Sequence, residues 1–169
     1  MSGLVRLPWS TVDGKPCYTV SAPDGHGLGP VGALADAWED AQVLAARSVL
    51  GAARVWLASG VRVDGGRLRA GAVRLVWSLV RMVRVAESRG KRLERVDPGQ
   101  VARVEMARVL LGHTEDLIIT GNAETCQMRY VLARLVECLA ALLEVAEARG
   151  ALLAAQDGGG LRCRKGACG

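Results

Sequence analysis

Three places in this chain carry residues suited to chemistry or recognition. His113 precedes Glu115 and Asp116, a mixture that serves proton transfer or metal binding. Positions 113, 115 and 116 do not share one helical face and no second His accompanies them, so their spacing reads better as a solvated helical turn. Cys163 and Cys168 lie in a basic, Gly-rich terminus with no His or further Cys to complete a zinc site. The third place is a stripe: Arg67, Arg74 and Arg81 recur every seven residues, with Arg84 beside them and Trp77 among them on the same outward side. Arg and Trp are the commonest interface anchors, and the same pair suits phosphates and bases.

Catalytic residues, cofactors and metal ligands are not expected. Asp64-Gly65-Gly66 fits neither a phosphate-binding loop nor a dinucleotide fingerprint. Di-iron bundles need inward-facing Glu and His, whereas the helical seams here read as purely apolar. Cys126 and Cys138 fit as small apolar fillers, and His26 falls in a Gly-rich linker. A non-enzymatic interaction or regulatory protein is the leading expectation, with a nucleic-acid-binding accessory and a small-molecule-binding bundle as alternatives. Three occupants compete for the Trp77 face. One is the N-terminal segment, whose Trp9 and Tyr18 would cover it by stacking and cation–π contact; the others are a protein partner and nucleic acid.

These residues sit on an internal repeat. Residues 68–90 (LRAGAVRLVWSLVRMVRVAESRG) align without a gap on 128–150 (MRYVLARLVECLAALLEVAEARG), with ten of 23 positions identical, against roughly two expected by chance. Upstream, 43–60 matches 104–121 with the offset changed by one residue. Each unit predicts a helical hairpin with one apolar seam that it cannot bury alone, and two hairpins make a four-helix bundle. The expected seams are Leu34, Trp38, Ala41, Ala45, Val49, Ala52 and Trp56 on the first helix, about 31–59. On the second, about 66–89, they are Leu68, Ala72, Leu75, Leu79, Met82 and Ala86. Asp97-Pro98-Gly99-Gln100 opens the third helix as cap and first turn. Asn122 is the expected cap of the fourth, whose seam is Met128, Leu132, Leu135, Leu139, Leu142 and Ala146. Gly60, Gly90 and Gly121 read as helix ends, and the fourth helix is expected over about 123–149, ending at Gly150 or a turn later.

Residues 1–30 read as a small β-hairpin, its strands flanking Asp13-Gly14, followed by a Gly/Pro-rich linker. The division predicted is therefore 1–30, a first helical hairpin over 31–95, a second over 96–155 in the same bundle, and a disordered basic tail over 156–169. At 169 residues such a domain needs no disulfide or metal to hold its core, and five Cys at irregular spacing argue for a reducing cytoplasm. No secretory leader is read in Met1–Ser10, and Arg interrupts the longest apolar stretches, around Val73–Val85, every few residues, so membrane spanning is not expected.

The net charge of +5 is uneven. Residues 61–95 carry ten basic and three acidic side chains, whereas 96–160 carry five basic and nine acidic. Copies of one unit that diverge in charge present outer faces with different tasks, and the acidic second copy limits any field for nucleic acid.

Phe is absent, 19 of 22 basic residues are Arg and Asn122 is the only Asn, a bias that tracks G+C-rich codons. Leu7-Pro8-Trp9, Asp13-Gly14-Lys15-Pro16-Cys17-Tyr18 and the later Arg84-Val85-Ala86-Glu87-Ser88-Arg89-Gly90 resemble a group of short actinomycete (Streptomyces-type) proteins of uncharacterised role. The resemblance covers roughly residues 4–95 and supplies no active site. It implies a regulatory protein partner, such as the helix-turn-helix transcriptional regulators encoded beside those relatives. The relatives lack the second hairpin, so a single-hairpin form would bury its seam by dimerising and this chain would be a fused pseudo-dimer, itself a monomer or a homodimer.

Overall fold

The computed structural model describes residues 4–13, 15–20, 29–59, 64–93, 95–120 and 123–163. A two-stranded antiparallel hairpin, β1 (Leu4–Ser10) and β2 (Pro16–Val20), precedes four helices: α1 (Gly29–Ala58), α2 (Gly65–Arg92), α3 (Pro98–Thr120) and α4 (Thr125–Cys163). The protein is mainly α, a four-helix bundle with a small N-terminal hairpin.

Local chemistry sets the helix starts. Asp64 accepts from the Arg67 amide at 2.9 Å and Asp97 from the Gly99 amide at 2.9 Å, satisfying donors that a first turn leaves unpaired. Pro98 takes the first position of α3, where its missing N–H costs nothing. The Glu124 amide donates to Gln127 Oε1 at 3.0 Å, the reach-back half of a capping box. Gly60, Gly121, Asn122 and the linker residues 21–28, including His26, lie outside the described residues.

In the bundle, α2 and α4 form the most extensively packed pair, and α1 and α3 each contact both. The pair runs parallel: Gly71 lies against Leu132 at one end, and Arg89 meets Ala146 at the other. All twelve seam residues expected on α2 and α4 are buried, with Leu79, Met82, Leu132, Leu135, Leu139 and Leu142 fully enclosed. Burying each such side chain contributes about 1.5–3 kcal/mol, and the two seams together hold the hairpins in one core.

The duplication is visible as a set of exchanged contacts. Arg47 of α1 pairs with Glu147 of α4 at 2.7 Å, and its counterpart Arg108 of α3 pairs with Glu87 of α2. Arg89 Nη1 donates to the Ala146 carbonyl at 2.9 Å, and Arg149 Nη1 donates to the Ala86 carbonyl. Residue i of one copy meets residue j of the other, and j meets i, as at the interface of a twofold dimer.

Three sequence expectations are corrected. Gly90 and Gly150 do not end their helices: α2 continues to Arg92 and α4 to Cys163. A Cβ on Gly90 would stand 2.6 Å from Arg149 Nη1, and one on Gly150 2.5 Å from Arg89 Nη1. The shared Arg-Gly ending is thus a crossing point, where each glycine makes room for the other copy's guanidinium. Helix α4 also runs through residues 156–163, expected as disordered tail, because Ala151–Gln156 continues the helix-forming pattern past Gly150; residues 164–169, with Cys168, lie outside the described residues.

The third correction concerns the α1 seam. Leu34, Ala41, Ala45 and Ala52 are exposed, and the buried line is Ala35, Glu39, Val43, Ala46 and Leu50, with Trp38, Val49 and Trp56 at its margin. Hydropathy misplaces the stripe because its centre holds a carboxylate. Glu39 is fully buried and accepts from Arg89 Nε at 2.9 Å and Arg92 Nη2 at 2.6 Å. Buried charges persist only when paired and hydrogen-bonded, which these arginines supply.

Candidate interaction face

On α2 the side chains pointing away from α4 are Arg67, Ala70, Arg74, Trp77, Arg81 and Arg84, all exposed. The seam commits one side of the helix to the core, so the heptad spacing of 67, 74 and 81 aligns the arginines on the solvent side. Trp77 keeps 63% of its surface exposed.

The N-terminal hairpin does not cover Trp77. Strand β1 packs on α1 and α2, burying Leu7, and Trp9 meets Trp38 of α1 edge-on with ring centroids 6.4 Å apart. Tyr18 remains 52% exposed. The physical reason is register along α2. Trp38 adjoins the Glu39–Arg89 cluster, so the hairpin caps the end of α2 that carries Ser88, eleven residues beyond Trp77. Ser88 is accordingly buried, whereas its counterpart in the second repeat, Ala148, is exposed. The ladder breaks between Arg6 and Ser10, around Pro8, which has no N–H to donate.

The two repeats differ in how their outer charges are satisfied. On α4, Arg134 pairs with Glu137 at 2.6 Å, and Glu144 faces Arg103 of α3 at 3.6 Å. The counterparts of Glu137 and Glu144 on α2 are Trp77 and Arg84, and Gln42 replaces Arg103. Among the described residues Arg74, Arg81 and Arg84 consequently have no hydrogen-bond or ion-pair partner, and Arg67 has only its own cap residue Asp64, at 3.6 Å. The α2 face is a set of free cations around an exposed indole; its copy is internally neutralised.

Beside this face, α1 and α2 enclose a groove of about 280 Å3, lined by Ala53, Trp56, Leu57, Gly71, Leu75 and Leu132 among others, with Arg74 at its edge. A second hollow of about 240 Å3 continues it over Trp56, Arg67, Ala70, Gly71 and Arg74. Sequence reading missed this groove, having assigned Trp56 to the seam and Gly71 to nothing. The signal lay in the repeat alignment: Gly71 answers to Val131 and Ala53 to Thr114, small against larger.

The other sequence candidates stay apart from this region. His113, Glu115 and Asp116 are exposed on α3, and no group of three or more His, Cys, Asp or Glu among the described residues is placed to hold a metal. Cys138 is half-buried, and burial pushes its thiol up to about 11, with Arg134 opposing. None of the described helices is long and apolar enough to cross a membrane. Known protein families, curated proteins and solved structures contain no match to the chain.

Proposed function

We propose that the chain is a non-enzymatic interaction module of regulatory type, acting in the cytoplasm as a monomeric pseudo-dimer, and that the outer face of α2 docks a protein partner with an acidic surface. The observation that carries this reading is the charge asymmetry between the copies: among the described residues Arg74, Arg81 and Arg84 lack partners where Glu137 and Glu144 have them. A cation without a counter-ion gives up no existing pair when it meets a carboxylate, so steering and register come at little internal cost. Trp77 supplies the aromatic anchor that interfaces favour at their centre. A transcriptional regulator is the partner class that the N-terminal resemblance implies.

Affinity purification with the full chain as bait tests the reading. Wild type should retain one stoichiometric protein, and Arg81→Glu/Arg84→Glu should lose it. Retention by the charge-reversed bait, or recovery of no stoichiometric partner, would overturn it. If the bait instead binds a labelled oligonucleotide with affinity that falls steeply with salt, the same face reads phosphates and the protein-partner reading fails.

A further inference from the structure

We infer that the groove between α1 and α2 receives one bulky apolar side chain, Leu or aromatic, from an acidic segment of the partner, whose carboxylates meet Arg67 and Arg74. The inference rests on the docking reading above and names what the partner must present. Two separate observations coincide. The groove is apolar where Trp56, Leu75 and Leu132 line it, and its mouth is cationic, with Arg67 and Arg74 both exposed there. At about 280 Å3 it has room for one bulky side chain.

The repeat shows that the groove belongs to this face. In the second copy Val131 stands where the first has Gly71 and Thr114 where it has Ala53, larger residues at two lining positions, while the smaller Leu117 stands for Trp56. Gly71 and Ala53, the small lining residues, lie in the copy whose outer arginines are unpaired among the described residues. Charge complementarity selects the occupant. The chain's own terminus carries Arg162, Arg164 and Lys165 and has the wrong sign. A second copy of the chain would offer Glu137 and Glu144, already engaged by Arg134 and Arg103, and Glu115 and Asp116, exposed on α3; self-association of the purified chain that is lost in Arg67→Glu/Arg74→Glu would assign the groove to that copy and overturn the inference. An acidic segment of another protein, laid along α2 with one apolar residue turned into the groove, satisfies both features.

A displayed random-peptide library panned on the full chain tests this. Wild type should enrich peptides rich in Asp and Glu that share one Leu, Phe or Trp at a fixed spacing. For the synthesised consensus peptide, replacing that residue by Ala should weaken binding at least about tenfold. Gly71→Val, which installs the second repeat's residue, should do the same, and the two changes together should cost no more than either alone. Gly71→Ala places a methyl in ordinary contact, 3.5 Å from the Trp56 ring, and gives a well-folded variant with a smaller loss. Acidic peptides without an apolar position, or equal binding by the Gly71 variants, would overturn the groove while leaving the docking face intact. Equal binding by Arg81→Glu/Arg84→Glu would remove the docking face itself.

Discussion

Arg89 and Arg149 cross the bundle in exchange, each passing over the other copy's glycine to bond the other copy's alanine carbonyl. Ala86, Arg89 and Gly90, with Ala146, Arg149 and Gly150, account for the ending that the two repeats share. Substitution at the glycines should therefore act through the arginines. Gly90→Ala raises helix propensity by about 1 kcal/mol, yet its methyl displaces a guanidinium whose charged hydrogen bonds contribute about 1.5–3 kcal/mol. Urea denaturation should show net destabilisation for Gly90→Ala alone. In an Arg149→Ala background the same change should become neutral or stabilising. Equal effects in both backgrounds would break the link.

The two crossings are not equally satisfied. Burial pulls Arg89 down, but the hydrogen bonds it donates to Glu39 and Asp40, with their negative charge, outweigh it and hold the guanidinium above its usual value. Arg149 is held below its usual value by burial, because Gln100 stands where the first copy has Glu39. Gln100→Glu should then stabilise the fold by about 1 kcal/mol, the difference between a neutral and a charge-assisted bond. Glu39→Gln should destabilise it, by about 3 kcal/mol or more, because it strips a buried carboxylate from two arginines. Thermal denaturation of the two variants at one ionic strength checks both signs.

Trp77 and Trp38 should part company in the same assay. Trp38 meets Trp9 and anchors the hairpin, so Trp38→Ala should cost about 1–3 kcal/mol. Trp77 touches solvent over most of its surface, and Trp77→Ala should stay within about 0.5 kcal/mol of wild type. A large stability loss at Trp77 would assign it to the core and away from recognition.

Cys138 gives a pH signature. Its thiol is raised by burial from 9.0 to about 11. Well below pH 9 it is protonated in folded and unfolded chains alike. Between pH 9 and 11 the unfolded chain releases a proton that the folded chain keeps, so stability falls as pH rises through that window. Cys138→Val should lose less stability than wild type between about pH 8 and pH 10.5, and matching losses would contradict the assignment. A thiol reagent near pH 8 should reach exposed Cys126 well before Cys138.

Much of this was legible in the chain. The seams of α2 and α4 alternate steps of three and four without a polar interruption, and the repeat fixed both at once. The α1 stripe slipped because Glu39 occupies its buried line, and hydropathy cannot know that Arg89 and Arg92 await it fifty residues on. Gly90 and Gly150 looked like caps because glycine usually ends helices; the requirement here comes from another helix, and no local pattern encodes it. The arginine stripe was read correctly as outward-facing, but the cover over Trp77 was misplaced, since the landing site of a short hairpin depends on tertiary contacts at Trp38. The groove was readable only as a difference between copies, at Gly71 against Val131.

The proposed docking face has an internal control, for each repeat exposes an aromatic residue: Trp77 on α2 at 63% and Tyr130 on α4 at 67%. Hydroxyl-radical footprinting of the purified chain with and without its partner would compare their oxidation rates in one sample. The proposal predicts that Trp77 is protected on complex formation while Tyr130 oxidises at its free rate. Protection of Tyr130 with Trp77 unchanged would contradict it.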